Sequence, residues 1–165
     1  MQSSLKWVGG VLVLLVLVIV GGYLAGKQKA VSESSDVATV IGTSIVFGQS
    51  LHQVSLQAPL SDFAVEVEQA YSRYVSPELI QQWKQNPASA PGQKTSSPWP
   101  QGIEVITADK QTDGSYIVTG NVVEVTSEEV SSGGYSNKYP VTLTLQKIKG
   151  IWLITGYQAG SGATL

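Results

Sequence analysis

The pattern of apolar and polar positions changes character three times along the chain. From Trp7 to Gly26 (WVGGVLVLLVLVIVGGYLAG) it is apolar throughout and carries no charged side chain. About 20 residues at ~1.5 Å each cover ~30 Å, the thickness of the hydrocarbon of a bilayer. The run therefore predicts one membrane-spanning helix, with the rest of the chain hung on one side. After a polar stretch the period becomes helical. Asp36 can cap a helix over Val37–Leu51, although TSIVF within it is rich in β-branched residues and would also suit a strand. QVSLQAP breaks the pattern. Ser61 is a cap candidate for a second helix, in which Phe63, Val67, Ala70, Tyr71 and Tyr74 share one face. Ser76, Pro77 and Glu78 open a third, with Leu79, Ile80 and Trp83 as its apolar face, and Asn86–Pro87 ends it.

Pro87–Gly102 (PASAPGQKTSSPWPQG) is too rich in proline for a helix or a central strand and reads as a long loop. Trp99, held between Pro98 and Pro100, either plugs the core from that loop or offers a docking face. From Ile103 the period is two. Strands are predicted at Ile103–Lys110, Tyr116–Ser127, Tyr139–Ile148 and Ile151–Tyr157, with turns at Asp113–Gly114 and Lys149–Gly150. Gly120 is placed where a bend would help a sheet curve, and Pro140 suggests a strand start, an edge or a bulge. Ser127–Lys138 reads as a polar connection. Four strands joined by local turns make an antiparallel meander.

Helices first and strands afterwards is an α+β order. The expected architecture is an N-terminal transmembrane helix, then two or three helices packed on a curved four-stranded antiparallel sheet, cone-like in shape. The expected division is residues 1–26 as cytoplasmic head and signal-anchor, 27–35 as tether, 36–158 as one extracytoplasmic domain, and 159–165 as a flexible tail. Positive charge is nearly equal on the two flanks, with Lys6 before the span and Lys27 and Lys29 after it. A six-residue head is most simply left in the cytoplasm, which puts the C-terminal domain outside the cell membrane. The residues before Ala25 and Ala30 do not suit a signal peptidase, so an uncleaved anchor is favoured over a cleaved signal peptide. Gly22 and Gly26 would let two spans pack closely as a homodimer; glycine is also common in membrane helices near the interface.

Composition narrows the chemistry. A net charge of −2 leaves no basic surplus for nucleic acid. The absence of Cys removes disulfides and thiolate chemistry, and a single His, His52, cannot build a multi-His metal site within one chain. No cofactor motif is present.

The order of elements resembles the cone-shaped superfamily of nuclear transport factor two, ketosteroid isomerase and polyketide-type cyclases, over roughly residues 36–157. At finer grain, QVSLQAP, YVSPELIQQW, APGQKTSSPWP, GNVVEVTS and PVTLTLQKIKGIWLI resemble uncharacterised single-pass membrane proteins of Gram-positive spore-forming bacteria. The first resemblance implies a pocket between sheet and helices, in whose enzymes a carboxylate or His acts as base. The second implies a place at the cell surface. Membrane-tethered domains of the cone type also serve as assembly parts of conjugation machinery.

Three functional classes remain open. The favoured one is a non-catalytic module binding a protein or cell-envelope partner, with Trp99 and Tyr135 as loop aromatics. The second is a small apolar-ligand pocket lined by Tyr71, Tyr74, Trp83, Tyr116 and Trp152. The third is a pocket enzyme whose base is Glu124, Glu104 or His52. Each of these three has a plain alternative: Glu124 and Glu104 alternate outward to water within VVEVT and IEVI, and His52 ends a helix half-buried. Glu128 and Glu129 with Asn137 could hold Ca²⁺, but no spaced acidic loop surrounds them. No Gly-x-Ser-x-Gly turn or phosphate-cradling loop is present.

Overall fold

The computed structural model describes residues 33–160. The chain divides into two compact units, Met1–Ala38 and Thr39–Leu165. The span read at Trp7–Gly26, its glycine pair and most of the tether lie outside the described residues. Among the described residues no helix is long and apolar enough to cross a membrane. Residues 33–50 are helical, so the helix read as starting at Val37 includes residues 33–36 as well; residues 39–50, α1 below, belong to the second unit. The β-branched TSIVF segment is helix and not strand, because Val40, Phe47 and Leu51 fall at helical spacing on a buried side.

The second unit is α+β. After α1 come a 3-10 turn Leu51–Gln53, α2 (Leu60–Tyr71), α3 (Pro77–Gln85) and a 3-10 turn Pro87–Ser89. Then follow β1 (Trp99–Lys110), β2 (Tyr116–Val125), α4 (Ser127–Ser132), β3 (Asn137–Ile148) and β4 (Ile151–Ala159). Ser76 caps α3 as its sequence requires, its side chain accepting from Leu79 N at 3.3 Å. Ser61 does not cap α2. The helix starts two residues earlier, at Leu60 with Pro59 at the cap position, and the Ser61 hydroxyl turns to Asp62.

The four strands form one antiparallel meander in the order β1-β2-β3-β4. Its inner face carries Tyr116, Val118 and Val122 on β2 and Val141, Leu143 and Leu145 on β3, all buried. The buried faces of the helices supply Phe47, Phe63, Val67, Tyr71, Ile80 and Trp83. At ~1.5–3 kcal/mol for each large apolar side chain taken out of water, this face is the main source of stability. The outer face is hydroxyl-rich: Thr107 and Thr119 hydrogen-bond across strands at 2.9 Å, and Thr142 pairs beside Thr119.

Three local departures from the sequence reading have physical causes. β1 begins at Trp99, inside the proline-rich loop, because β1 is an edge strand and tolerates Pro100 there. The connection after β2 holds α4, closed by a capping box in which Glu129 Oε2 accepts from Thr126 N at 2.7 Å. Pro140 lies in the interior strand β3; its carbonyl accepts from Gly160 N at 2.8 Å, so its missing N–H faces the end of β4 and costs little. Gly120 behaves as read. A register shift in β1 between Val105 and Thr107 brings that strand across β2, and a Cβ on Gly120 would collide with the carbonyl oxygen of Glu104.

Candidate functional site

At one end of the sheet the inner face runs past its helical cover, and a cleft of about 670 Å³ opens there. One wall is the sheet: Glu124 from β2, Asn137 and Tyr139 from β3, and Tyr157 from β4. The other wall is the segment 88–92 with Lys94, and the last residues of β4 and Leu56 complete the rim.

Register brings the sheet residues together. Glu124 is directly opposite Asn137, and Val122 is opposite Tyr139. Glu124 is therefore in phase with Val118 and Val122 on the inner face, contrary to the outward alternation that the sequence suggested. It stays half-exposed because it lies at the mouth, beyond the helices. Asn137 Nδ2 donates to Glu124 Oε2 at 2.8 Å. Tyr157 reaches the same wall through a bulge. Thr144 pairs with Gly156 but Leu145 pairs with Ile154, so Thr155 is an extra residue that turns Tyr157 inward.

The loop wall is pinned to the helices. Gln93 N donates to Val54 O at 2.8 Å, Leu56 N donates to Gln93 O at 2.9 Å, and Ser55 N donates to Glu66 Oε2 at 2.8 Å. The buried Tyr71 hydroxyl donates to Pro91 O at 3.0 Å. Gly92 passes so close that a Cβ there would lie 2.7 Å from Val54 O. The floor is a ring cluster. Tyr157 stands edge-on to Phe47 and Trp83, with ring centroids 6.3 and 6.1 Å apart, and Phe47 and Trp83 both touch Tyr71.

Electrostatically the cleft keeps its phenols neutral. Burial, followed by the nearby Glu124 charge, raises Tyr139 to about 12, while a hydrogen bond from Tyr157 opposes the rise. Tyr157 is raised further, first by burial, then by Tyr139 and by donating to it. Tyr71 is raised well above its ordinary value, chiefly by burial. At neutral pH the wall thus offers one carboxylate, one carboxamide, two protonated phenols and, at the rim, the Lys94 ammonium 5.9 Å from the Tyr139 ring centroid.

The residues singled out from the sequence are scattered with respect to this cleft. Glu124 lines it. Glu104 is exposed on the outer face and pairs with Lys138 at 2.8 Å. His52 is exposed in the 3-10 turn after α1, not half-buried. Tyr71 and Trp83 are filled core beneath the cleft. Tyr116 and Trp152 form a separate buried pair, centroids 5.1 Å apart. Tyr74 lines a different groove with Gln49, Gln69 and Arg73. These five rings therefore share no cavity among the described grooves. Trp99 is half-buried at the start of β1, opposite Val125, and Tyr135 is exposed under Lys138 Nζ at 4.1 Å.

Three polar or aromatic cleft residues escaped the sequence reading, Lys94, Tyr139 and Tyr157, and Asn137 was read only beside Glu128 and Glu129. Asn137 and Tyr139 could have been found by extending the phase of Val141, Leu143 and Leu145 backwards by two and four residues. Among the described residues no group of three or more His, Cys, Asp or Glu could hold a metal ion. Glu129 is committed to its capping box and Asn137 to Glu124, so they do not converge with Glu128 on a common point.

Comparison with known proteins adds no assignment: no family model, no curated protein and no solved structure matches this chain.

Proposed function

We propose that the chain is a membrane-tethered, extracytoplasmic module of the cone-shaped type that binds a protein or cell-envelope partner through the cleft and catalyses no reaction. The observation that carries this reading is the pinned wall. Segment 88–93 is fixed at Pro91 by Tyr71 and at Gln93 by Val54 and Leu56, so the cleft is preformed and a partner pays little to order it. Its volume falls in the range of ligand sites, and its lining is polar with aromatic faces. The uncharged run Trp7–Gly26 supports the tether and the cell membrane as its address. The pocket-enzyme alternative rests on Glu124 alone, since His52 and Glu104 lie elsewhere.

A photo-crosslinking residue placed at Ser89, exposed on the cleft wall, tests the reading in intact cells. It should trap a discrete partner, and the adduct should vanish when Glu124→Ala is added. The same probe at Ile151, exposed at the start of β4, should not give that adduct. Recovery of uncrosslinked monomer alone, or of the same adduct from both sites, would refute it.

A further inference from the structure

We propose that the cleft receives a small zwitterion, of the class of free amino acids and short peptides, with its ammonium on Glu124 and its acid group on Lys94. This rests on the binding reading above and names the chemistry of what enters.

The cleft holds one acidic and one basic side chain, and they are not spent on each other. Glu124 Oε2 accepts from a neutral amide, Asn137, which leaves the other carboxylate oxygen for a donor. Lys94 is exposed and rests near the Tyr139 ring, and no ion pair joins it to Glu124 among the described residues. A ligand carrying only a cation would satisfy Glu124 but be repelled by Lys94. A ligand carrying only an anion would meet the reverse. A neutral ligand would bury part of both charges without compensation, which is unfavourable. A ligand bearing both charges satisfies both ends, with charge-assisted hydrogen bonds about twice as strong as neutral ones.

Glu124 and Lys94 line opposite walls of the same cleft, Glu124 from β2 and Lys94 from the loop, with the Lys94 Nζ 5.9 Å from the Tyr139 ring centroid. A free amino acid or short peptide carries both charges on one small molecule, and a dipeptide is a simple probe whose two ends can be blocked separately. Tyr139 and Tyr157 line the same cleft and offer hydroxyls to the backbone of such a ligand.

The test is calorimetric titration of the full chain in mild detergent with three probes: Ala-Ala, N-acetyl-Ala-Ala and Ala-Ala amide. The free dipeptide should bind tightest, and blocking either end should weaken binding about tenfold, one charge-assisted contact each. In Glu124→Gln, a near-isosteric change whose side-chain carbonyl can still accept from Asn137, Ala-Ala and its N-acetyl form should bind alike. In Lys94→Met, Ala-Ala and its amide should bind alike. Equal binding of all three probes to the wild-type chain, or no binding of any, overturns the inference. The wild-type comparison stands even if a variant misfolds. An adduct from Ser89 that depends on Glu124, together with no discrimination among the peptides, would sink the zwitterion and spare the module. Absence of that adduct would sink the module itself.

Discussion

Tyr71→Phe removes a single oxygen and tests whether the cleft wall is held from below. In the wild type the Tyr71 hydroxyl, fully buried, donates to Pro91 O at 3.0 Å across twenty residues of chain. Phe fills the same space and keeps the ring contacts to Phe47 and Trp83. What is lost is the bond, and Pro91, which is buried, keeps a carbonyl without that partner. A net intramolecular hydrogen bond contributes about 0.5–1.5 kcal/mol, and an unsatisfied buried acceptor costs about 1–3 kcal/mol. The Tyr hydroxyl no longer needs burying, which offsets part of this, so a loss of about 1–2 kcal/mol is expected. In a domain of this size that lowers the unfolding midpoint by about 3–8 °C.

The loss should also be local. The amide of Gln93 bonds to Val54 O next to the released carbonyl, so its hydrogen exchange should quicken by about tenfold for each 1.4 kcal/mol taken from the local opening energy. Amides in the middle of β2 and β3 should exchange more slowly and follow only the global change. Near-UV circular dichroism of the full chain in mild detergent gives the midpoint, and exchange monitored by NMR gives the locality. An unchanged midpoint with Gln93 protected as before would show that Tyr71 does not hold the wall. The preformed cleft would then have no basis.

Two further outcomes follow from the packing and the phenols. Gly120→Ala should destabilise by about 1–3 kcal/mol in urea unfolding, the usual cost of overpacking, because its Cβ would meet the Glu104 backbone first and the Ile103 Cγ2 next; a wild-type midpoint would mean that β1 does not cross β2 so closely. Alkaline titration should show Tyr139 ionising near pH 12 by absorbance at 295 nm, with Tyr157 ionising only after it and Tyr71 well above the ordinary tyrosine value. Folding holds these protons more tightly than the unfolded chain does. The contribution of Tyr139 is therefore complete below the ordinary tyrosine value of 10.0 and is lost as pH rises from there through about 12. Stability that stays flat across that window would contradict the buried phenol pair.

The fold was legible wherever one local signal and one burial pattern agreed. Ser76-Pro77-Glu78 could only start a helix, and Val141, Leu143 and Leu145 could only face one way, so α3 and β3 were readable from the chain. The order of strands followed because the turns after β1 and β3 were short and polar and the connection after β2 was too short and polar to cross the sheet. Where local signals conflicted, tertiary context decided. TSIVF has the side chains of a strand, but Phe47 is needed among the rings of Tyr71, Trp83 and Tyr157, and only a helix delivers it there with Val40 and Leu51 on the same side.

The cleft was harder to see because it is built where strand phase becomes ambiguous. In VVEV the valines on both sides of Glu124 are buried, Val122 on the inner face and Val123 and Val125 on the outer, so alternation alone does not say which way the carboxylate turns. The register settles it: Glu124 opposite Asn137 is in step with Val122 opposite Tyr139. Tyr157 shows the stricter limit. Counting by twos from Trp152 and Ile154 puts Gln158 on the inner face and Tyr157 outside. One unpaired residue, Thr155, reverses that assignment and brings a phenol over the core rings and against Tyr139. No composition or period in β4 announces a bulge, since the signal lies in its pairing with β3. A site whose lining depends on one such slip is also easily tested: deleting Thr155 removes the extra residue, so Gly156 opposite Thr144 and Tyr157 opposite Leu143 follow Ile154 in unbroken alternation and Tyr157 stays on the inner face. The deletion should therefore keep both the Ser89 adduct and the raised Tyr139 ionisation, with β1 to β3 folded as judged by their slow amide exchange. Loss of both in a variant that keeps that slow exchange would mean that this register does not hold Tyr157 in the site.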